Sequence, residues 1–173
     1  MTPSRTAAPT RPPLLFLDIE ASSLDPRSWP IEVGWAWIEA GRVRTRSAII
    51  APRADWPLSA WRAAAVAVHG LPLCAVLAGA PAGEVAARTD VFARFEVVSD
   101  NPVWDQRWLD RLREGRRRID VRPLRAAVAE RLHDLEASEF ARTLLREPAP
   151  HRAGPDAARL AAAWRAAERA FAA

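Results

Sequence analysis

Leu14-Leu15-Phe16-Leu17 is a short unbroken apolar run that ends in Asp18-Ile19-Glu20, and a turn-rich stretch from Ser22 to Pro30 follows it. A run of this length bounded by turn residues predicts a central strand buried on both faces, which commits the chain to a sheet covered by other elements on each side. Residues two apart on a strand point to the same face, so the carboxylates of Asp18 and Glu20 emerge together where the strand meets its loop. That placement is costly, because two ionised carboxylates held close repel and one takes up a proton unless a cation offsets them. Hard divalent ions such as Mg²⁺ suit an all-oxygen environment of this kind. Asp-x-Glu alone also describes an ordinary solvated strand end, so the rest of the chain has to decide.

Ile31, Val33, Trp35 and Trp37 alternate with other residues, and Ala40-Gly41 separates them from a second alternating stretch over 42–50, which reads as a hairpin. Helical patterns follow over 58–69 and 81–92, then a strand over 95–98, a helix over 102–114 and a short strand over 119–121. An amphipathic helix is expected over 123–136 through Leu124, Val128 and Leu132, and the last helix starts after Gly154-Pro155. Three strands followed by alternating helices and strands predict an α/β fold: a mixed sheet, opening with an antiparallel hairpin and continuing with parallel strands, flanked by helices. A length of 173 residues suits one domain. We assign 1–13, rich in Pro, Thr, Ala and Arg, to a flexible tail and 14–173 to that domain.

Composition narrows the function classes. Hydrophobic residues at 50% and charged residues at 27% match soluble globular chains and exclude wholesale disorder. No apolar run approaches the roughly 20 residues that cross a bilayer, and 1–13 lacks the apolar stretch of a secretory signal, so a cytoplasmic protein with no membrane partner is expected. The single cysteine, Cys74, excludes an internal disulfide and a cysteine-rich zinc site, leaving oxygen or imidazole to hold any metal. Net charge is +4 but the pI is about 10.9, because every basic residue is arginine. Arginine's planar fork suits phosphate, yet an Ala-, Arg- and Pro-rich composition also follows from coding bias, so charge is weak support only. Arg116-Arg117-Arg118 is a solvated loop or a binding patch on the same footing. Of the eight tryptophans, Trp35 and Trp37 on a strand and Trp164 in a stripe with Leu160, Ala167 and Phe171 read as core, which leaves Trp56 and Trp61 as base-stacking candidates.

Two further acidic positions sit at element boundaries. Asn101-Pro102-Val103-Trp104-Asp105 opens a helix directly after a strand. At 100° per residue, with Trp104 at zero, Trp108, Leu112 and Leu109 fall at about 40°, 80° and 140°, and Asp105 at about 100° lies inside this apolar face. Asp110 falls opposite, at about 240°. A carboxylate inside a packing stripe is expensive without a partner. His151-Arg152-Ala153-Gly154-Pro155-Asp156 opens the last helix. Taken alone, His151 reads as a loop histidine and Asp156 as a favourable charge at a helix N-terminus.

In this order the motifs resemble the DEDDh subgroup of 3′–5′ exonucleases, the superfamily of polymerase proofreading domains, oligoribonucleases and ribonuclease T, over about residues 14–164. Phe16 to Leu24 resembles the first motif, Asn101 to Leu109 the second, and His151 to Ala157 the third and most specific. Ile31-Glu32-Val33-Gly34 is similar to the family's second strand, and His69-Gly70-Leu71 to a step after its first helix. The resemblance implies a ribonuclease H-like fold and a 3′–5′ exonuclease that releases nucleoside monophosphates from the 3′ end of single-stranded DNA or RNA. It implies Asp18, Glu20, Asp105 and Asp156 as ligands of two Mg²⁺ or Mn²⁺ ions and His151 as the base that takes a proton from water. It also implies contacts to the terminal nucleotides from Ser22, Ser23, Leu24, His69 and Asn101, although the residues alone make His69 a turn support and His133 a surface histidine. Ser23, Asp100 and Trp104 depart from the usual glycine, histidine and phenylalanine, and Asp100 brings negative charge near the phosphate. The sister subgroup with tyrosine in place of the histidine is excluded, since the chain has no tyrosine. Two other readings stay open: a catalytically weak or inactive nucleic-acid-binding module of the same fold, and a protein-interaction module.

Overall fold

The computed structural model describes residues 11–146 and 148–171. The strands in chain order are β1 (Leu14–Ala21), β2 (Pro30–Glu39), β3 (Arg42–Ala51), β4 (Ala80–Pro81), β5 (Glu96–Ser99) and β6 (Val121–Pro123). The helices are α1 (Ala63–His69), α2 (Leu73–Leu77), α3 (Ala82–Arg88), α4 (Pro102–Leu112), α5 (Leu124–Arg131), α6 (Asp134–Arg146) and α7 (Ala153–Ala170), with 3₁₀ turns at Leu58–Ala60 and Thr89–Arg94. The strands form one mixed sheet in the order β4-β3-β2-β1-β5-β6, with β1 to β3 antiparallel and β5 and β6 running parallel to β1. This is the expected α/β architecture, and β1 lies inside it with a neighbour on either side.

The apolar run of β1 supplies two cores. Leu15, Leu17 and Ile19 join Val33, Trp35 and the inner faces of α3 and α4 on one side. Leu14 and Phe16 join Ala36, Val98, Leu124, Phe140 and the α7 stripe Ala157, Leu160, Ala161, Trp164 and Ala167 on the other. Burying such a side chain contributes about 2 kcal/mol, so no other four-residue segment is tied so strongly to both layers. The hairpin between β2 and β3 turns at Ala40 and Gly41, whose φ angles are 49° and 70°. Positive φ at both central positions gives the turn the hand that matches strand twist, with glycine taking it freely and alanine under strain.

Gly34 fixes where α7 begins. A Cβ on Gly34 would lie 2.0 Å from the carbonyl carbon of Ala153, so only glycine lets the α7 N-terminus rest on the backbone of β2. Gly34 is also the register partner of Asp18, so this close approach delivers the start of α7 beside the β1 carboxylates.

Several elements differ from the pattern-based expectation. The helix expected over 58–69 is interrupted at Trp61 and Arg62, because Trp61 turns in against Trp29 (ring centroids 5.9 Å apart) and the Arg62 N–H donates to the carbonyl of Ser22 at 3.0 Å. The helix over 81–92 tightens into a 3₁₀ turn after Arg88, where the Thr89 hydroxyl donates to the carbonyl of Ala86 at 2.7 Å. The helix expected over 123–136 is two helices: Leu132 is extended (φ −109°, ψ 140°). The Glu136 carboxylate then accepts from the His133 N–H at 2.8 Å and opens α6, which leaves His133 exposed in the break. The strand expected over 119–121 pairs over Val121–Pro123 instead, with Gln106 accepting from the Val121 N–H and donating to the Ile119 carbonyl. The short α2 and β4 carry too few residues for any periodicity to show.

Trp56 is not a stacking surface. It is 3% exposed, stacked on Trp29 at 6.1 Å with Arg53 and Arg111 over its ring. The expected tail over 1–13 falls outside the described residues up to position 10; residues 11–13 are exposed coil, and Arg131 donates to the Pro12 carbonyl at 3.2 Å. Among the described residues no helix is long and apolar enough to cross a membrane.

Candidate active site

Three elements bring carboxylates to the C-terminal end of β1. Asp18 and Glu20 leave the strand on the face covered by α7, Asp105 comes from the first turn of α4 across the end of β5, and Asp156 comes from the first turn of α7. They form two overlapping groups, Asp18 with Glu20 and Asp156, and Asp18 with Asp100 and Asp105, each with an oxygen from every member within 4.8 Å of the others. Asp18 belongs to both. The four acidic positions singled out from the motifs therefore meet in space, although more than 130 positions separate the first from the last. Asp100, read from the sequence only as an added charge, stands within the same ligand distance because it directly follows β5, ahead of the helix that carries Asp105.

The helical-wheel placement of α4 holds: Asp105 is 2% exposed, while Asp110 faces solvent and pairs with Arg118 at 3.6 Å. The Ser99 hydroxyl donates to Asp105, the Ile19 backbone N–H adds a second bond, and the Asn101 N–H donates to Ser99 Oγ at 2.9 Å. Burial and neighbouring carboxylates raise every member of the core set. The Asp18 carboxyl is pushed up to about 9 by desolvation and by Asp105, Glu20 and Asp156. Desolvation lifts Asp105 to about 8, against the hydrogen bond from Ser99. Glu20 rises to about 7 through desolvation and the charges of Asp156 and Glu32, and Asp156 is raised as well. A cation beside such crowded carboxylates favours their charged form, and an all-oxygen donor set with one shared carboxylate fits hard divalent ions.

The start of α7 is clamped. The Glu32 carboxylate, 2% exposed, accepts from Arg152 Nε at 2.8 Å, from Arg152 Nη2 at 3.0 Å and from the Ala153 N–H at 3.1 Å. The Arg152 N–H in turn donates to Asp156 at 3.0 Å, so one short segment is anchored through both side chain and backbone. His151 precedes it with φ 54°, exposed, within electrostatic reach of Asp156. Sequence reasoning missed Glu32 and Arg152 as site residues. The signal was present as a lone glutamate inside the apolar run Ile31 to Val33, where a buried charge demands a partner.

A cavity of about 440 Å³ opens beside Glu20, lined by Ala21, Ser23, Leu24, Arg62, His69 and Trp108 among others. Ser23, Leu24 and His69 thus line one cavity together, and Leu24 is 68% exposed at the rim. His69 serves the turn too: its Nδ1 accepts from the Leu71 N–H at 3.0 Å, which puts the ring proton on Nε2, and that buried atom has no partner among the described residues. Ser22 corrects the expectation. It is fully buried, its Oγ accepting from the Trp29 N–H at 3.1 Å, and it braces the loop behind the cavity without lining it. Asn101 stands exposed at the start of α4 beside Asp100 and lines no described cavity.

The mixed sheet and its flanking helices, with carboxylates at the end of the central strand, define a ribonuclease H-like fold. The chain matches no family model and no curated protein. Solved structures do match: an E. coli exonuclease I complex with single-stranded DNA in its zinc-bound form superposes with a TM-score of 0.66 at 16% identity, covering 94% of this chain and 41% of that one. Apo exonuclease I gives a TM-score of 0.67 at 13% identity over 92% of this chain and 42% of that chain, and a moderately thermophilic exonuclease I from Methylocaldum szegediense gives 0.59 at 17% over 91% and 40%. At such identities the likeness is one of fold. The chain spans about two fifths of the length of those proteins.

Proposed function

We propose that the protein is a metal-dependent 3′–5′ exonuclease that hydrolyses phosphodiester bonds at the 3′ end of single-stranded nucleic acid and releases nucleoside 5′-monophosphates. The observation that carries this reading is the pair of carboxylate groups joined by Asp18. Asp18, Glu20 and Asp156 would hold one divalent ion and Asp18, Asp100 and Asp105 a second, with Mg²⁺ or Mn²⁺ the ions of matching hardness. When bound, such ions supply positive charge that offsets the phosphate and eases loss of a proton from water. His151 takes the proton of the attacking water, imidazole being the side chain that exchanges protons most readily near neutrality. The water oxygen bonds to phosphorus, the bond from phosphorus to the 3′ oxygen of the penultimate nucleotide breaks, and that oxygen leaves as a hydroxyl.

The cavity beside Glu20 takes the terminal nucleoside. Leu24 and Trp108 offer it apolar surface, and the His69 Nε2–H is a donor held ready for a sugar or phosphate oxygen. Glu32 and Arg152 keep the α7 start in register, so that Asp156 and His151 reach the same phosphate. The support from comparison is consistent, since one neighbour is a complex with single-stranded DNA and another a complex with a dA16 oligonucleotide. Digestion of matched single-stranded DNA and RNA, each labelled at the 5′ end, with Mg²⁺, Mn²⁺ or chelator tests the reading. A ladder shortening from the 3′ end that chelator stops is expected; activity undiminished in excess chelator, or none with any ion, refutes it.

A further inference from the structure

A further cavity among the described residues lies away from the carboxylates. It measures about 510 Å³, on the face of the sheet opposite α7, and is lined by Leu15, Trp35, Trp37, Phe95, Val91, Ser47 and the guanidinium groups of Arg46 and Arg88. The helical cover of that face stops here: Phe92 meets Trp35 edge-on at 5.4 Å and Trp35 is 4% exposed, while Trp37, which meets Phe95 at 6.4 Å, is half-buried and borders the opening. No carboxylate lines the recess. Arg46 is exposed and makes no hydrogen bond or ion pair among the described residues, and the ion pair of Arg88 is a solvent-facing one with Glu84 at 3.8 Å. Aromatic faces beside one guanidinium without a side-chain partner among the described residues and another held only by a solvent-facing carboxylate are what a single strand requires: rings for its bases and fixed positive charge for its phosphates.

Position links the recess to the catalytic end. β3 pairs with β4 only through Ile50 and Ala51, so the stretch from Arg42 to Ser47 is a sheet edge, and Arg42, Arg44 and Arg46 stand on it. Ser47 lines the recess from one side, and a Cβ on Gly154 would lie 2.9 Å from the Ser47 Cβ on the other. The α7 start that carries Arg152 and the arginine-edged recess thus back onto the same residue of β3. Crossing two strand spacings, one sheet thickness and the three residues of β1 between the levels of Asp18 and Trp37 is a path on the order of 30 Å, which roughly nine stacked nucleotides span at 3.4 Å each.

We propose that this recess is an anchor for the upstream part of the single-stranded substrate, with a base against Trp37 and Phe95 and phosphates on Arg46 and Arg88. The proposal rests on the exonuclease reading and adds to it a second contact, about nine nucleotides from the 3′ end. It makes the enzyme sensitive to substrate length: a trinucleotide engages the catalytic cleft alone, whereas a 15-mer engages both.

The test measures equilibrium binding of a 5′-labelled trinucleotide and a 15-mer to the Asp18→Asn protein, with and without the paired substitutions Arg46→Ala and Arg88→Ala. Both arginines are exposed, so the fold should survive. Expected are a rise of about 10-fold in Kd for the 15-mer, a salt slope smaller by roughly 1.4 for two lost phosphate contacts, and an unchanged trinucleotide. Trp37→Leu, which keeps an apolar side chain and removes the ring, should weaken the 15-mer alone as well. Equal weakening of both oligonucleotides would make the arginines a general electrostatic field, and unchanged 15-mer binding would assign the recess to another occupant; either overturns the proposal. Trinucleotide turnover by the otherwise unaltered enzyme reports on the exonuclease reading separately, so failure of one is not mistaken for failure of the other.

Discussion

Arg152 closes a fork on Glu32, Nε and Nη2 at 2.8 and 3.0 Å from the two carboxylate oxygens, across 120 positions of sequence. The two sides of this pair differ in exposure, 2% for the Glu32 side chain against 38% for Arg152. Removing either partner therefore has unequal consequences. Arg152→Ala strands a dry carboxylate with one backbone donor and should cost about 3 kcal/mol. Glu32→Gln leaves a guanidinium that water reaches and should cost about 2 kcal/mol. Denaturant unfolding of the two variants checks the order, and both should lower kcat more than they raise KM because the α7 start loses its register.

Gly34→Ala should be worse than a usual surface change. The new Cβ would meet the Ala153 main chain at 2.0 Å, and a backbone cannot rotate away. Overpacking at this contact should cost about 3 kcal/mol or more, visible as a fall in Tm, and should abolish activity in whatever fraction remains folded by displacing Asp156 from Asp18.

Metal and pH should act on stability in opposite directions. Asp18, Asp105 and Glu20 are raised to about 9, 8 and 7 in the folded protein, so the folded state binds protons that the unfolded chain releases near pH 4. Stability from these groups is complete below about pH 4 and is lost as pH rises through 7 to 9. The Tm of the metal-free protein should fall over that upper window, and saturating Mg²⁺ should remove the fall, since binding requires the deprotonated form. Asp18→Asn should flatten the metal-free profile and erase the Mg²⁺ effect. A metal-free Tm that climbs from pH 7 to 9 would contradict the raised carboxyls.

Three aspartates around one helix start separate by geometry. Asp105→Asn should abolish activity and Asp110→Asn should leave rate and stability within about 0.5 kcal/mol, as for an ordinary surface site. For Asp100, the sequence alone suggests an effect on substrate affinity more than on turnover. Its oxygen within 4.8 Å of Asp18 and Asp105 revises that to a loss of turnover that rising Mg²⁺ concentration partly restores. Single-turnover rates across a metal titration distinguish the three.

His151→Ala should lower turnover by about 10²- to 10⁴-fold, the range for a lost general base, with little change in metal affinity measured by calorimetry. Loss of metal binding with His151 would make it a ligand and change its role.

Much of the site was legible because short-range pattern encoded it. The β1 run, the alternation of the hairpin and the wheel position of Asp105 each depend on residues a few positions apart, and each survives in the structure. Helix ends were less legible. Leu132 and Trp61 break expected helices because a distant partner or a new cap outcompetes local propensity, as Trp29 does for Trp61 and Glu136 for His133.

The sequence by itself determined a central buried strand tipped with two carboxylates, a hairpin beside it and an acidic residue on the packing face of α4, since periodicity and the cost of buried charge act locally. Only the tertiary structure decided that Gly34 admits the α7 N-terminus, that Glu32 holds Arg152, that Asp100 joins the carboxylates, and that Trp56 is core while Trp37 borders an open recess. These are contacts between layers of the fold, set by how helices seat on a sheet, and no window of a few residues contains both partners.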